Sequence, residues 1–143
     1  MDVCIRYYEG KDYKPLIELL RKVYKSEIDK DTLEKQYINK TRNILVAILE
    51  GKQLIGCTFI EIQEDYVRPS RKLYVTYVAV DEQYREKGVG KKLMEVVENE
   101  CVQRKCTSIE FTSASFRIKA HAFYESLGYT QKKTVIFIKE MVL

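Results

Sequence analysis

The most constraining feature of the chain is a strand pattern that passes through a glycine-bearing turn into a helix pattern and then into another strand pattern. Residues 73–80 (LYVTYVAV) form a β-rich run. Gly88 and Gly90 follow, and residues 89–103 carry Val89, Leu93, Met94, Val96, Val97 and Cys101 as a helical stripe. Ser108 to Thr112 then alternates, with Ile109 and Phe111 on one face. Strands joined through a helix pair in parallel, because only a long crossover can bring the second strand back in the same direction. This β-α-β unit selects a layered α/β architecture.

The rest of the chain extends that frame. Residues 3–9 alternate as a first strand, and Asp12 is placed to cap a helix bearing Leu16, Leu19, Leu20 and Val23, with Pro15 in its first turn. Leu33, Tyr37 and Ile38 predict a short helix over 31–40. Two β-rich runs, 44–49 and 54–62, flank Glu50-Gly51-Lys52-Gln53, a hairpin signal that adds antiparallel strands. Ala120, Phe123, Tyr124 and Leu127 predict a helix over 117–127 with Gly128 as its C-terminal stop, and residues 134–139 (TVIFIK) predict a closing strand. The sheet is therefore mixed.

The 143 residues, uninterrupted by a linker or repeat, suit one domain over 1–143. The longest aliphatic run, Ile44–Leu49, is far short of the ~20 residues that a membrane helix needs, so no membrane partner is expected. Met1-Asp2-Val3 opens without a basic stretch or an apolar run, so the expectation is a cytoplasmic protein. The net charge is +4, and each half of the chain carries a surplus of two positive charges. Such an even spread lacks the basic stripe of a nucleic-acid binder, and no nucleic-acid partner is expected.

Cys4, Cys57, Cys101 and Cys106 show no C-x-x-C spacing, and His121 is the single histidine. No metal site is expected, and the thiols read as reduced. Cys4 and Cys57 fall in apolar strand patterns, where a cysteine acts as a small hydrophobe.

Chemistry concentrates in Val78-Ala79-Val80-Asp81-Glu82-Gln83-Tyr84-Arg85-Glu86-Lys87-Gly88-Val89-Gly90-Lys91. Glycines at a helix start let the backbone approach a ligand, and the unpaired amides there favour an anion. Arg85, Lys87, Lys91 and Lys92 add positive charge, which points to a phosphate-bearing ligand. The competing reading is a glycine-softened turn with solvated charges. A Walker loop fails by counting, since Arg85 stands five before Gly90 and Lys92 follows Lys91. A dinucleotide fingerprint fails because Gly88-Val89-Gly90 is followed by Lys91, Lys92 and Leu93.

Arg85-Glu86-Lys87-Gly88-Val89-Gly90 resembles the R/Q-x-x-G-x-G/A motif of the GNAT superfamily of acyl-CoA-dependent N-acyltransferases. The preceding strand ends Val78-Ala79-Val80-Asp81. Downstream, Ala120-His121-Ala122-Phe123-Tyr124-Glu125-Ser126-Leu127-Gly128-Tyr129 resembles a second block of many bacterial members. The resemblance implies a mixed, mostly antiparallel sheet of six to seven strands, with a V-shaped splay between two parallel strands and about four flanking helices. It implies acetyl-CoA as acetyl donor and coenzyme A as product. Arg85, Glu86, Lys87, Gly88, Val89, Gly90 and Lys91 would cradle the pyrophosphate with their amides. Val78, Ala79 and Val80 would hold pantetheine, an amide near Val80 would polarise the thioester carbonyl, and Ala120 and Phe123 would line the channel. Tyr124 would protonate the leaving thiolate, the alternative for it being simple packing with Ala120, Phe123 and Leu127. His121 is expected to be structural or partly exposed rather than a base.

The implied activity is transfer of an acetyl group to a small-molecule or peptide primary amine by direct attack in a ternary complex. The alternative is a non-catalytic acyl-CoA-binding sensor or regulatory module. Thr76 stands where many relatives have glutamate, and threonine cannot act as a base, so the base is unassigned. Glu27, Glu61 and Glu64 are candidate acceptor-binding carboxylates, each also readable as a solvated surface group. Arg117 replaces an asparagine that contacts the cofactor in one branch of the family. Dimers are common among members, so a homodimer is compatible with the resemblance.

Overall fold

The computed structural model describes residues 1–142. The chain folds into two compact units, Met1–Thr112 and Ser113–Leu143.

The first unit is a five-stranded mixed sheet in the order β1 (Val3–Tyr7), β2 (Arg42–Leu49), β3 (Gln53–Asp65), β4 (Ser70–Val80) and β5 (Ser108–Glu110). The first three pairings are antiparallel and β4–β5 is parallel. The β2–β3 turn has Glu50 and Gly51 at positive φ, the twist that a tight hairpin needs. Residues on β2 alternate between two cores. Ile44, Val46 and Ile48 meet α1 (Tyr13–Tyr24), whose Leu16, Ile17, Leu19 and Leu20 are buried. Ala47, with Ile55 of β3, meets α2 (Val89–Gln103) through Val89 and Leu93. Full burial of each such side chain contributes roughly 1.5–3 kcal/mol, which is how the sheet holds a helix on either face.

Asp12 fixes the entry to α1. Its carboxylate accepts from both guanidinium nitrogens of Arg6, at 2.7 and 3.0 Å, and from the Glu9 amide at 2.8 Å. Burial, the largest influence on this carboxyl, pushes it up, but the hydrogen bonds from Arg6 and Glu9 outweigh it and hold it below the usual carboxylate value.

The second unit contains α3 (Ile118–Ser126). With α1, α2 and a π-helical segment at Thr32–Tyr37, the described residues hold four helices longer than a single turn. None of the described helices is long and apolar enough to cross a membrane.

Three expectations require correction. Among the described residues the sheet has five strands rather than six to seven. Residues 134–139 form no strand, because a strand is a pairing and the described part of the Ser113–Leu143 unit, taken by itself, has no second strand for them to pair with. The helix expected over 31–40 shrinks to Thr32–Tyr37, its last turn closed by the Ile38 amide on the Leu33 carbonyl at 3.1 Å.

Candidate active site

Two bulges shape the middle of the sheet. Ala47 pairs with Gly56 and Ile48 with Leu54, so Ile55 is an extra residue in β3. Its carbonyl accepts from the Asp81 amide at 2.8 Å and so ties the end of β4 to β3. Phe59 pairs with Tyr77 and Ile60 with Val75, so Thr76 is the extra residue in β4. Exposed Thr76 donates to the Phe59 carbonyl at 3.4 Å, and the Tyr37 hydroxyl donates to the next carbonyl, that of Ile60, at 3.2 Å.

Beyond the bulge β4 is anchored on one side only. Its parallel ladder with β5 covers Lys72–Ser108, Leu73–Ile109 and Tyr74–Glu110 and ends there, while β4 runs on to Val80. Within the first unit, Val75 to Val80 therefore have β3 as their only strand partner. The carbonyl of Val78 accepts from the Tyr24 hydroxyl at 2.7 Å, and that of Tyr77 from the hydroxyl of buried Thr58 at 2.9 Å.

From Val80 the chain turns sharply into α2. Asp81 caps a 3-10 turn over Glu82–Tyr84, accepting from the Gln83 amide at 3.1 Å, and pairs with Lys22 at 3.6 Å. Arg85 folds back to donate from Nε to the Val80 carbonyl at 3.1 Å. Glu86 lies at φ 61° and Gly88, which starts α2, at φ 86°, both left-handed. The first intrahelical bond runs from the Lys92 amide to the Gly88 carbonyl at 3.1 Å, which leaves the preceding amides at the helix start. Met1, Val3, Lys87, Val89 and Lys92 line a cleft of about 250 Å³ beside this end. The left-handed turn and the helix-end amides fit an anionic ligand, and Lys87 and Lys92 put positive charge near the same end of α2.

The start of α2 reaches the sheet because β3 has a glycine at the contact. A Cβ on Gly56 would meet the Ala79 carbonyl at 3.1 Å, Val89 Cγ1 at 3.3 Å and Leu93 Cδ1 at 3.4 Å. Gly56 belongs to no motif that the sequence displays, yet it sets the depth of the helix that carries the glycine turn.

On the α1 side of β4, four rings run in series. Tyr24 and Tyr77 stand edge-on at 5.0 Å, Tyr77 and Phe59 at 5.8 Å, and Phe59 and Tyr37 tilted at 5.4 Å. Burial pushes the Tyr37 phenol up to about 12, with Thr76 acting against it. Glu61 stands opposite Arg42 in the β2–β3 ladder, and Arg42 sits over the Tyr37 ring at 5.4 Å. The other two candidate carboxylates have partners elsewhere: exposed Glu27 pairs with Arg21, and Glu64 with Arg71.

In the second unit, α3 ends in a Schellman cap, a closure in which a left-handed residue lets two amides bond back into the last turn. Gly128 takes φ 97°, and the Tyr129 and Gly128 amides donate to the carbonyls of Tyr124 at 3.1 Å and Glu125 at 3.0 Å. Such a cap brings the side chains at its two ends together, and the Tyr124 and Tyr129 rings lie 6.3 Å apart. Phe123 stands 5.2 Å from Tyr124. Burial raises the Tyr124 phenol above its ordinary value, and the charge of Arg117 pulls it the other way. Ala120, Phe123, Tyr124 and His121 are half-buried in this unit.

Comparisons with known proteins agree with this geometry. The sequence pattern of the acetyltransferase (GNAT) family matches residues 13–129. An N-acetylaspartate synthetase from Xenopus tropicalis is 31% identical over 102 residues, covering 71% of this chain and 36% of the relative. N-alpha-acetyltransferase 30 from Xenopus laevis is 22% identical over 134 residues, covering 92% of this chain and 49% of the relative. The chain thus spans between about a third and a half of these curated relatives. Among solved structures, an aminoglycoside acetyltransferase from an uncultured soil metagenomic sample superposes with a TM-score of 0.85 at 22% identity, covering 99% and 97% of the two chains. An AAC(6')-Iy in complex with a CoA-containing bisubstrate analogue superposes at 0.86 and 18% identity, covering 99% and 100%. These likenesses establish the fold.

Proposed function

This chain belongs to the GNAT acetyltransferase family, and from that premise we propose that it transfers an acetyl group from acetyl-CoA to a primary amine by direct attack in a ternary complex. The observation that carries the proposal is the continuity of three features on one strand. The β4–β5 ladder stops at Tyr74, within the first unit β4 runs on to Val80 paired with β3 only, and Val80 leads into the turn at the start of α2. An extended ligand with an anionic end fits such an edge.

Arg85 to Lys91 bind the diphosphate through main-chain amides, with Lys87 and Lys92 beside them. Val78, Ala79 and Val80 bind pantetheine as a strand would, and an amide near Val80 aims its N–H at the oxygen that gains charge during transfer. Bound acetyl-CoA supplies the activated acetyl group as a thioester. Tyr124 holds the proton that the departing sulfur needs, with Ala120 and Phe123 alongside. A phenol near ~10 and a thiol near ~8.5 differ by about 2 kcal/mol, a modest mismatch for that transfer. Residues 1–143 act together as one catalytic domain.

The acceptor must attack as a free amine. For an amine with pKa ~10.4, deprotonation at pH 7 costs about 4.6 kcal/mol. Glu61, beside the ring series, is the carboxylate best placed to draw the ammonium in. Glu27 and Glu64 are weaker candidates, being engaged with arginines. Thr76 provides no base, which keeps a second reading in view: a non-catalytic acyl-CoA sensor.

Thiol release from acetyl-CoA against a panel of aspartate, a peptide α-amine and an aminoglycoside tests the proposal. Amine-dependent release with an acetylated product supports transfer. Cofactor binding with no release for any amine favours the sensor.

A further inference from the structure

A second Schellman cap, at the far end of α2, assembles a chemical group that the transferase reading does not use. Lys105 takes φ 58°. The Cys106 amide donates to the Cys101 carbonyl at 2.9 Å, and the Lys105 amide to the Val102 carbonyl at 3.2 Å. As in α3, the cap brings the side chains at its two ends together, but here both ends are cysteines. Cys101 Sγ donates to the Cys106 carbonyl at 3.5 Å. Both are free and half-exposed.

We propose that Cys101 and Cys106 form a thiol–disulfide exchange site whose substrate is a low-molecular-weight disulfide. The cap's backbone bonds hold Cys101 and Cys106 as neighbours at its two ends, the proximity that a disulfide requires. Arg71 fixes the surroundings. Its guanidinium donates to the Arg104 carbonyl at 2.6 Å, and its own carbonyl accepts from the Thr107 amide at 2.7 Å, which holds the cap against β4. Cys101 holds its proton on the Cys106 carbonyl, which leaves Cys106 as the attacking sulfur and Cys101 as the resolving one. Burial and the charge of Cys101 raise the Cys106 thiol, with the charges of Arg71 and Arg104 acting against them.

The Cys106 thiolate attacks one sulfur of the small disulfide, whose S–S bond breaks, and the first small thiolate leaves and takes up a proton. The Cys101 thiolate then attacks Cys106 sulfur in the mixed disulfide and expels the second small thiol. The protein pair loses two electrons and the small disulfide gains them. Burial raises both thiols, so the pair suits slow equilibrium exchange rather than rapid capture of an oxidant. The other cysteines lack this arrangement. Cys57 is fully buried, its thiol pushed up by burial to about 12, and exposed Cys4 lies on β1 opposite Ile48.

The test equilibrates the full chain with mixtures of reduced and oxidised glutathione, quenches with acid, alkylates, and maps the peptides by mass. The expected product is an internal Cys101–Cys106 bond, seen as loss of two hydrogen atoms and independent of protein concentration. With Cys101→Ser, a single glutathionyl group is expected to accumulate on Cys106, from trace to majority occupancy. An internal bond absent at every glutathione ratio, persistent glutathionylation of Cys106 in the unaltered chain, or oxidation confined to Cys4 or to bonds between chains would each overturn the proposal. The mapping of the unaltered chain decides the matter even where a variant folds poorly.

Discussion

The Tyr24 hydroxyl, on the last residue of α1, donates a hydrogen bond of 2.7 Å to the main-chain carbonyl of Val78 in β4. The bond spans 54 residues of sequence and acts two residues past the Thr76 bulge, on the stretch of β4 that has a strand partner on one side only. A half-buried hydroxyl thereby stiffens the strand proposed to align pantetheine. Tyr24→Phe removes that bond while keeping the ring contact with Tyr77. Its expected cost is about 1 kcal/mol of stability, with a several-fold rise in KM for acetyl-CoA. Steady-state kinetics with the acyl donor varied checks this, and an unchanged KM would detach Tyr24 from cofactor alignment.

Tyr124→Phe keeps the contacts with Phe123 and Tyr129 and removes the proton. The expected result is a fall in kcat of roughly 10²-fold with cofactor affinity nearly intact. Because burial raises the phenol, the acid stays protonated beyond pH ~10. The pH profile of kcat/KM should therefore climb as the acceptor amine deprotonates, with no descending limb below pH ~10. Turnover unchanged in the phenylalanine variant would remove Tyr124 from the chemistry.

Gly56→Val places a side chain where a Cβ already meets the Ala79 carbonyl at 3.1 Å. The β4 backbone cannot yield as a flexible side chain does, and the same Cβ meets Val89 Cγ1 at 3.3 Å and Leu93 Cδ1 at 3.4 Å, so the added methyls push α2 outward. Overpacking of this kind costs about 1–3 kcal/mol. Urea denaturation should show the loss, and cofactor affinity should fall with it, since the helix carries the glycine turn. Affinity preserved despite lost stability would mean that the depth of α2 does not matter to binding.

The Arg6–Asp12 pair makes stability depend on acid. A carboxyl held below its ordinary value stabilises the fold above that value, and the contribution fades as pH falls toward the lowered one. Asp12→Asn should cost about 1–3 kcal/mol at pH 7, with the gap to the unaltered chain closing below pH ~4. Denaturation midpoints at pH 7 and pH 3 provide the comparison. An equal gap at both values would show that the carboxylate charge is not what matters.

Much of this architecture is legible in the sequence, and the exceptions have physical causes. The apolar stripe at 89–103 predicts α2 with the boundaries it has, because the stripe begins at a glycine and ends where alternation resumes. The bulges at Ile55 and Thr76 leave no such mark: LYVTYVAV reads as one uninterrupted strand, and one extra residue changes pairing without changing composition. The two Schellman caps make the same contrast. Gly128 announces a helix stop because glycine favours positive φ, whereas Lys105 adopts that conformation with nothing in its side chain to reveal it. Hence the Tyr124 turn is visible in the sequence and the Cys101–Cys106 pair is not. Glu27 and Glu64 read as available carboxylates, since sequence does not disclose that arginines six and seven residues away would occupy them.

Everything proposed for the transferase rests on the turn from Arg85 to Lys91 holding the diphosphate of coenzyme A. Calorimetric titration of the unaltered chain and of Gly88→Val with coenzyme A, acetyl-CoA and ATP tests this most directly. Valine at φ 86° strains the turn by about 1–3 kcal/mol and obstructs the amides' approach to a ligand. The unaltered chain is predicted to bind both CoA species and not ATP, and Gly88→Val to weaken both by about tenfold or more. No binding of either CoA species, or equal affinity in the variant, would contradict it.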